Sequence, residues 1–106
     1  MKYPKSKDRG SKRSSFMRSV ITIIGKDEVG ITAKASAVCA NRNVNIVDIS
    51  QSVLKKDIFV MVMLTEFENE NDTVSKLTAD FKELSRKTGL DIRVINEDVF
   101  NSMHKI

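Results

Sequence analysis

The 106-residue sequence predicts one small α+β domain, ordered β-α-β-β-α-β behind a basic N-terminal segment. Three observations predict it. A β-branched run at residues 20–24 (VITII) ends at Gly25 and gives way to residues with helical spacing. Two apolar stretches, 44–54 and 58–67, are separated only by the polar turn Lys55-Lys56-Asp57, which makes them an antiparallel hairpin. A second helical stripe, Val74, Leu77, Phe81 and Leu84, ends at Gly89 and leads into a last strand at 90–95.

Each element has its own warrant. The first strand carries Val20, Ile21, Ile23 and Ile24, so both of its faces are apolar. The first helix, 31–42, places Ile31, Ala35, Val38 and Arg42 on one stripe. Ala33, Ala35, Ala37 and Ala40 keep it slim enough to lie close to a sheet. In the second strand, alternation puts Asn45, Val47, Ile49, Gln51 and Val53 on one face. In the third, Phe59, Met61 and Met63 oppose Val60, Val62 and Leu64. Residues 68–72 form a polar loop, with Asp72 or Thr73 placed to cap the second helix. Residues 98–104 add a short helical turn around Val99, Phe100 and Met103. Both helical stripes are buried most economically on one face of a four-stranded antiparallel sheet, the ferredoxin-like arrangement. The apolar second face then needs a cover, and a second copy of the chain is the simplest one.

The net charge of +4 is unevenly distributed. Residues 1–16 hold Lys2, Lys5, Lys7, Arg9, Lys12 and Arg13 against Asp8 alone, a net +5, leaving −1 for residues 17–106. Tyr3 and Phe16 are the only large apolar groups of that segment, apart from Met1. Residues 1–16 therefore read as a disordered basic tail and 17–106 as the domain. A basic tail on a near-neutral fold is not the footprint of a nucleic-acid-binding domain. Cys39 is the single cysteine, which excludes an intramolecular disulfide and a multi-cysteine metal site. Between Val38 and Ala40 it reads as a small buried hydrophobe. No apolar run is long enough to span a bilayer, and no secretory signal is present, so a cytoplasmic location is expected.

Catalysis lacks a residue set. His104 is the only histidine, and no nucleophile–base arrangement is apparent. The first loop contains Lys26 but no arginine for an acylphosphatase-type phosphate cradle, and no paired cysteines for copper. Strand three offers Phe59 beside methionines, too little aromatic surface to stack RNA bases. The chain thus reads as a non-enzyme with no cofactor and no metal.

Two segments remain. Gly25-Lys26-Asp27-Glu28-Val29-Gly30-Ile31 joins a strand end to a helix start, where free backbone N–H groups favour an anion. Gly25 and Gly30 permit a sharp turn or a close ligand approach, and Asp27 either holds an ammonium group or caps the helix. Asn45-Ile46-Val47-Asp48-Ile49-Ser50-Gln51 carries amides that hydrogen-bond a trapped ligand or a symmetry mate, Asn45 otherwise serving a turn.

Together these motifs resemble the ACT domain, over about Ser19 to the C-terminus. They are most similar to small stand-alone ACT proteins and to the ACT modules of formyltetrahydrofolate deformylases and glycine-cleavage regulators. The resemblance implies a homodimer, often with sheets joined edge to edge, that binds an amino acid or similar small metabolite and regulates an enzyme. By position it implies a ligand loop of Asp27, Glu28, Val29, Gly30 and Ile31, completed across the dimer by Asn45 and Ile46, with Gln51 as the narrower subgroup's glutamine. The alternative is a protein–protein interaction module without a small ligand.

Overall fold

A computed structural model describes residues 16–68, 70 and 72–103. In chain order it contains β1 (Phe16–Lys26), α1 (Ile31–Asn41), β2 (Asn45–Leu54), β3 (Ile58–Glu68), α2 (Thr73–Thr88), β4 (Asp91–Asn96) and α3 (Glu97–Met103). The four strands form one antiparallel sheet in the order β2-β3-β1-β4. This is the predicted ferredoxin-like fold, with β2 and β4 at the edges.

The core lies between one sheet face and the two long helices. Ile21 and Ile23 of β1 stand opposite Met63 and Met61 of β3, and all four are fully buried. Ile31, Ala35 and Cys39 of α1 and Leu77 and Phe81 of α2 close over them. Val74 and Leu84 pack at the margin, so the stripe predicted for α2 is its core face. On α1 the stripe continues through buried Cys39, with Val38 at its edge. Burial raises the Cys39 thiol pKa to about 11, which leaves it un-ionised and inert at neutral pH.

Helix ends follow backbone more than side-chain logic. Gly89 terminates α2 in the left-handed region at φ 80°, its N–H donating to the Ser85 carbonyl. The predicted side-chain caps are not formed. Asp72 precedes α2 with φ 58° and makes no capping bond, while the Thr73 hydroxyl donates to the carbonyls of Glu68 and Glu70. The left-handed backbone at Asp72 departs from the extended conformation that a side-chain cap requires.

The other sheet face carries Val20, Thr22, Ile24, Val60, Val62 and Leu64. α3 packs against β1 and β4, its first residue Glu97 lying 3.9 Å from Arg18. Asn96 caps it, accepting from the backbone N–H groups of Asp98 and Val99. Val20 is buried, whereas Ile24 is exposed and Val60, Val62 and Leu64 are half-buried. The chain thus covers only part of its second face.

β1 begins earlier than the β-branched run, since Phe16 pairs with Glu68 and Ser19 with Thr65. Both Ser19 and Thr65 are buried, and the Thr65 hydroxyl donates to the Ser19 carbonyl at 2.9 Å. The expected disordered tail lies outside the described residues, except for Phe16. Because residues 1–15 offer little to bury, truncation before Phe16 is expected to leave the melting temperature within a few degrees. A larger fall on thermal denaturation would place the tail on the domain.

α1 and α2 are tied by one bidentate ion pair. Arg42 donates through Nε and Nη2 to the Asp80 carboxylate at 2.6 and 3.1 Å. That hydrogen bond, aided by the guanidinium charge, holds the Asp80 carboxyl below the usual carboxylate range. A depressed folded pKa stabilises above the unfolded value of about 4, and the contribution disappears as pH falls through the folded pKa. The wild type should therefore melt slightly above Asp80→Asn from pH 5 to 8, with the gap closing below about pH 4. A gap that persists at pH 2 would assign the effect to packing instead of charge.

Candidate functional site

The loop from Gly25 to Ile31 leaves β1 at the end of the sheet where Lys26 pairs with Ile58 and Ile58 pairs with Leu54. Its path is set by two contacts. The Asp27 N–H donates to the Asp57 carbonyl at 2.8 Å, fastening the loop to the β2–β3 turn. That turn carries Lys56 and Asp57 in the left-handed region, at φ 64° and 61°. The second contact is at Gly25, where an added Cβ would lie 2.6 Å from Leu90 Cδ2 and 3.3 Å from Leu90 Cα. Gly25 is therefore required by close packing on β4's approach, not by room for a ligand.

Gly30 does what the sequence leads one to expect. It is the N-cap of α1 at φ 89°, a conformation that a side chain strains. No side chain caps α1, and its first turn holds no acid. The reading of Asp27 as a helix cap is thus replaced by an exposed carboxylate held in place through its own backbone. Glu28 is exposed and Val29 is 96% exposed, while Ile31 turns inward to the core. The N–H groups of Ile31, Thr32 and Ala33 precede the first helical bond, which Lys34 makes to the Gly30 carbonyl. An exposed carboxylate and a turn of open amides on the same short loop can take a zwitterion by both ends.

The second motif is divided. Asn45 pairs with Glu66 and Ile46 with Thr65, but Asp48 pairs with Leu64, so Val47 is an extra residue in a β-bulge. The bulge reverses the alternation, and Asn45 does not share a face with Gln51, contrary to the sequence expectation. Ile46 packs on the core, whereas Asn45 lies on the open side. Ile49, Gln51 and Val53 stand opposite core residues Met63, Met61 and Phe59, on the helix side. Gln51 Oε1 accepts a hydrogen bond from the Thr32 hydroxyl at 3.1 Å, joining β2 to the first turn of α1.

Asn45 and Ile46 are not near the loop within one chain. Glu66, the partner of Asn45, pairs with Arg18 at the start of β1, eight residues before Lys26. At roughly 3.3 Å per residue the two motifs are about 26 Å apart along the sheet. Among the described residues no group of three or more histidine, cysteine, aspartate or glutamate side chains is placed to hold a metal. No helix there is long and apolar enough to cross a membrane.

The ACT domain family model matches residues 18–95. The UPF0237 protein of Clostridium perfringens is 48% identical over 90 residues, covering 85% of this chain and all of its own. The fold is similar to that of an ACT domain protein from Streptococcus pneumoniae, with a TM-score of 0.67 and 31% identity over 79% of this chain and 93% of the other. It is also similar to a putative glycine cleavage system transcriptional repressor, at a TM-score of 0.68 and 18% identity over 76% of this chain and 46% of the other. Fold and family match agree, and the chain belongs to the ACT domain family.

Proposed function

We propose that this chain is a non-catalytic regulatory domain, cytoplasmic, that binds an amino acid or similar small metabolite at a homodimer interface. The observation that supports this reading most is the loop after β1. It offers an exposed Asp27, a left-handed Gly30 and an α1 N-terminus that no side chain occupies. These groups suit an ammonium and a carboxylate respectively. The reading assigns Asp27, Glu28, Val29, Gly30 and Ile31 to one wall, with Asn45 and Ile46 of a second copy as the other. Gln51 lies between the two motifs along β2. A dimer joined edge to edge is needed for this assignment, because one chain separates the motifs.

The proposed output is control of a partner enzyme, in keeping with the family match. A thermal-shift panel of amino acids and of folate and purine metabolites tests the reading. A ligand that binds only the folded state should raise the melting temperature in a concentration-dependent way. Dimers that respond to nothing in the panel would favour a plain interaction module.

A further inference from the structure

The turn between β2 and β3 is built against local preference. Among the described residues, four that are not glycine lie in the left-handed region: Asn43, Lys56, Asp57 and Asp72. Asparagine and aspartate tolerate that region through local hydrogen bonds of their short side chains, and lysine has no such compensation. Lys56 lies at φ 64° and ψ 29°, and Asp57 follows at φ 61°. Two consecutive left-handed residues in a hairpin are normally supplied by Asn-Gly or Asp-Gly. Packing does not offset the strain, since both side chains are exposed. Chain reversal alone does not explain the choice, because Asn-Gly would make it more easily.

What this backbone does accomplish is a contact outside the hairpin. It presents the Asp57 carbonyl to the Asp27 N–H at 2.8 Å. Among the described residues, this is the one backbone hydrogen bond that ties residues 27–29 to the rest of the domain. Strained backbone that the surrounding fold retains is a pointer to a role, and here it coincides with the residue that holds the candidate loop.

We propose that the Lys56-Asp57 turn positions the ligand loop, with Asp57 acting through its backbone carbonyl and not its carboxylate. This rests on the loop reading given above and adds the residues that fix the loop in place. The base of the loop is set by Gly25 against Leu90, and its far end by Gly30 at the start of α1. The tie to Asp57 fixes the stretch between them at Asp27. Glu28 and Val29 are then left exposed on a short span with both ends held. The Asp27 backbone is thereby set relative to the α1 amides before a ligand arrives, which lowers the ordering cost of binding. Linkage makes the effect reciprocal. A ligand that binds the tied loop better than the free one strengthens the tie by the same factor, so the hairpin tip responds to occupancy.

Hydrogen exchange at the Asp27 amide of the full chain, followed by NMR, tests this role without any ligand. Asp57→Val puts a β-branched residue at positive φ, which such residues avoid, so the turn must reshape and release the amide. Asp57→Asn removes the charge and keeps a residue that tolerates the left-handed backbone. Exchange at Asp27 should quicken about tenfold in Asp57→Val and stay at the wild-type rate in Asp57→Asn. The amides of Ile21 and Met63, in the buried strands, report global opening alongside it. Where the valine variant does not fold, Asp57→Ala imposes a milder penalty and answers the same question. An Asp27 rate that is unchanged, or that rises only by the factor seen at Ile21 and Met63, overturns the positioning role. Titration with the common amino acids, one at a time, then follows the Asp27 and Gly30 amide signals. An amino acid that shifts them in the wild type should bind several-fold more weakly to Asp57→Val and equally well to Asp57→Asn. Equal affinity in all three overturns the positioning role and leaves the loop reading intact. No shift from any amino acid in the wild type overturns the loop reading, and the positioning role with it.

Discussion

Gly25→Ala is expected to destabilise the domain by about 1–3 kcal/mol, the usual cost of inserting a methyl group into a packed core. For a domain of this size that corresponds to a fall of roughly 5–20 °C in melting temperature. The new Cβ would lie 2.6 Å from Leu90 Cδ2, a distance that carbon atoms do not tolerate. The leucine methyl is at the end of a side chain, but Leu90 is buried within the core cluster and has little free volume to enter. Leu90 Cα, at 3.3 Å, belongs to the backbone approaching β4 and yields still less. The cause is open to a double-mutant cycle with Leu90→Ala. That truncation removes the clashing methyl, so its own cost should be smaller by roughly 0.5 kcal/mol or more in the Gly25→Ala background than in the wild type. Strict additivity of the two losses would show that Gly25 is needed for a reason other than Leu90.

The same residue marks where sequence reading reaches its limit. Element order and the core faces of both helices follow from local periodicity, which is why Leu77, Phe81, Ile31 and Ala35 are core residues in sequence and structure alike. A contact such as Gly25 on Leu90 joins positions 65 residues apart and has no local signal. Arg42 with Asp80 is of the same kind, as is the Thr65 hydroxyl on the Ser19 carbonyl. The bulge at Val47 leaves only a weak mark, the adjacent apolar pair Ile46-Val47, which the alternation of Val47, Ile49 and Val53 outweighs. What forces it is burial at the start of the strand, where Ile46 packs on the core while Ile49 and Val53 must face the same side. The candidate loop is legible through its glycines, but the capping role open to Asp27 is decided only by Gly30 taking the N-cap position.

Removal of that Asp27 carboxylate is the second large effect. In the proposed site it bonds the ligand's ammonium, and loss of a charge-assisted hydrogen bond of this kind costs about 1.5–3 kcal/mol. Asp27→Ala should therefore weaken binding about tenfold or more in calorimetry, with a ligand identified by the thermal panel. Stability should hardly change, because Asp27 caps nothing and its backbone N–H to Asp57 survives the substitution. Asn45→Ala should weaken binding as well, through the other wall of the site. The two variants then allow a test that a single-chain site cannot pass. In a mixed dimer, one loop with Asp27 intact faces a second-strand start with Asn45 intact, while the other site has lost both residues. Random exchange between equal amounts of the two variants makes half of the dimers mixed, so about one quarter of all sites should regain wild-type affinity. The titration would show a tight phase of that amplitude, absent from either variant alone. If subunit exchange is demonstrated and no tight phase appears, Asn45 does not complete the Asp27 site across the dimer.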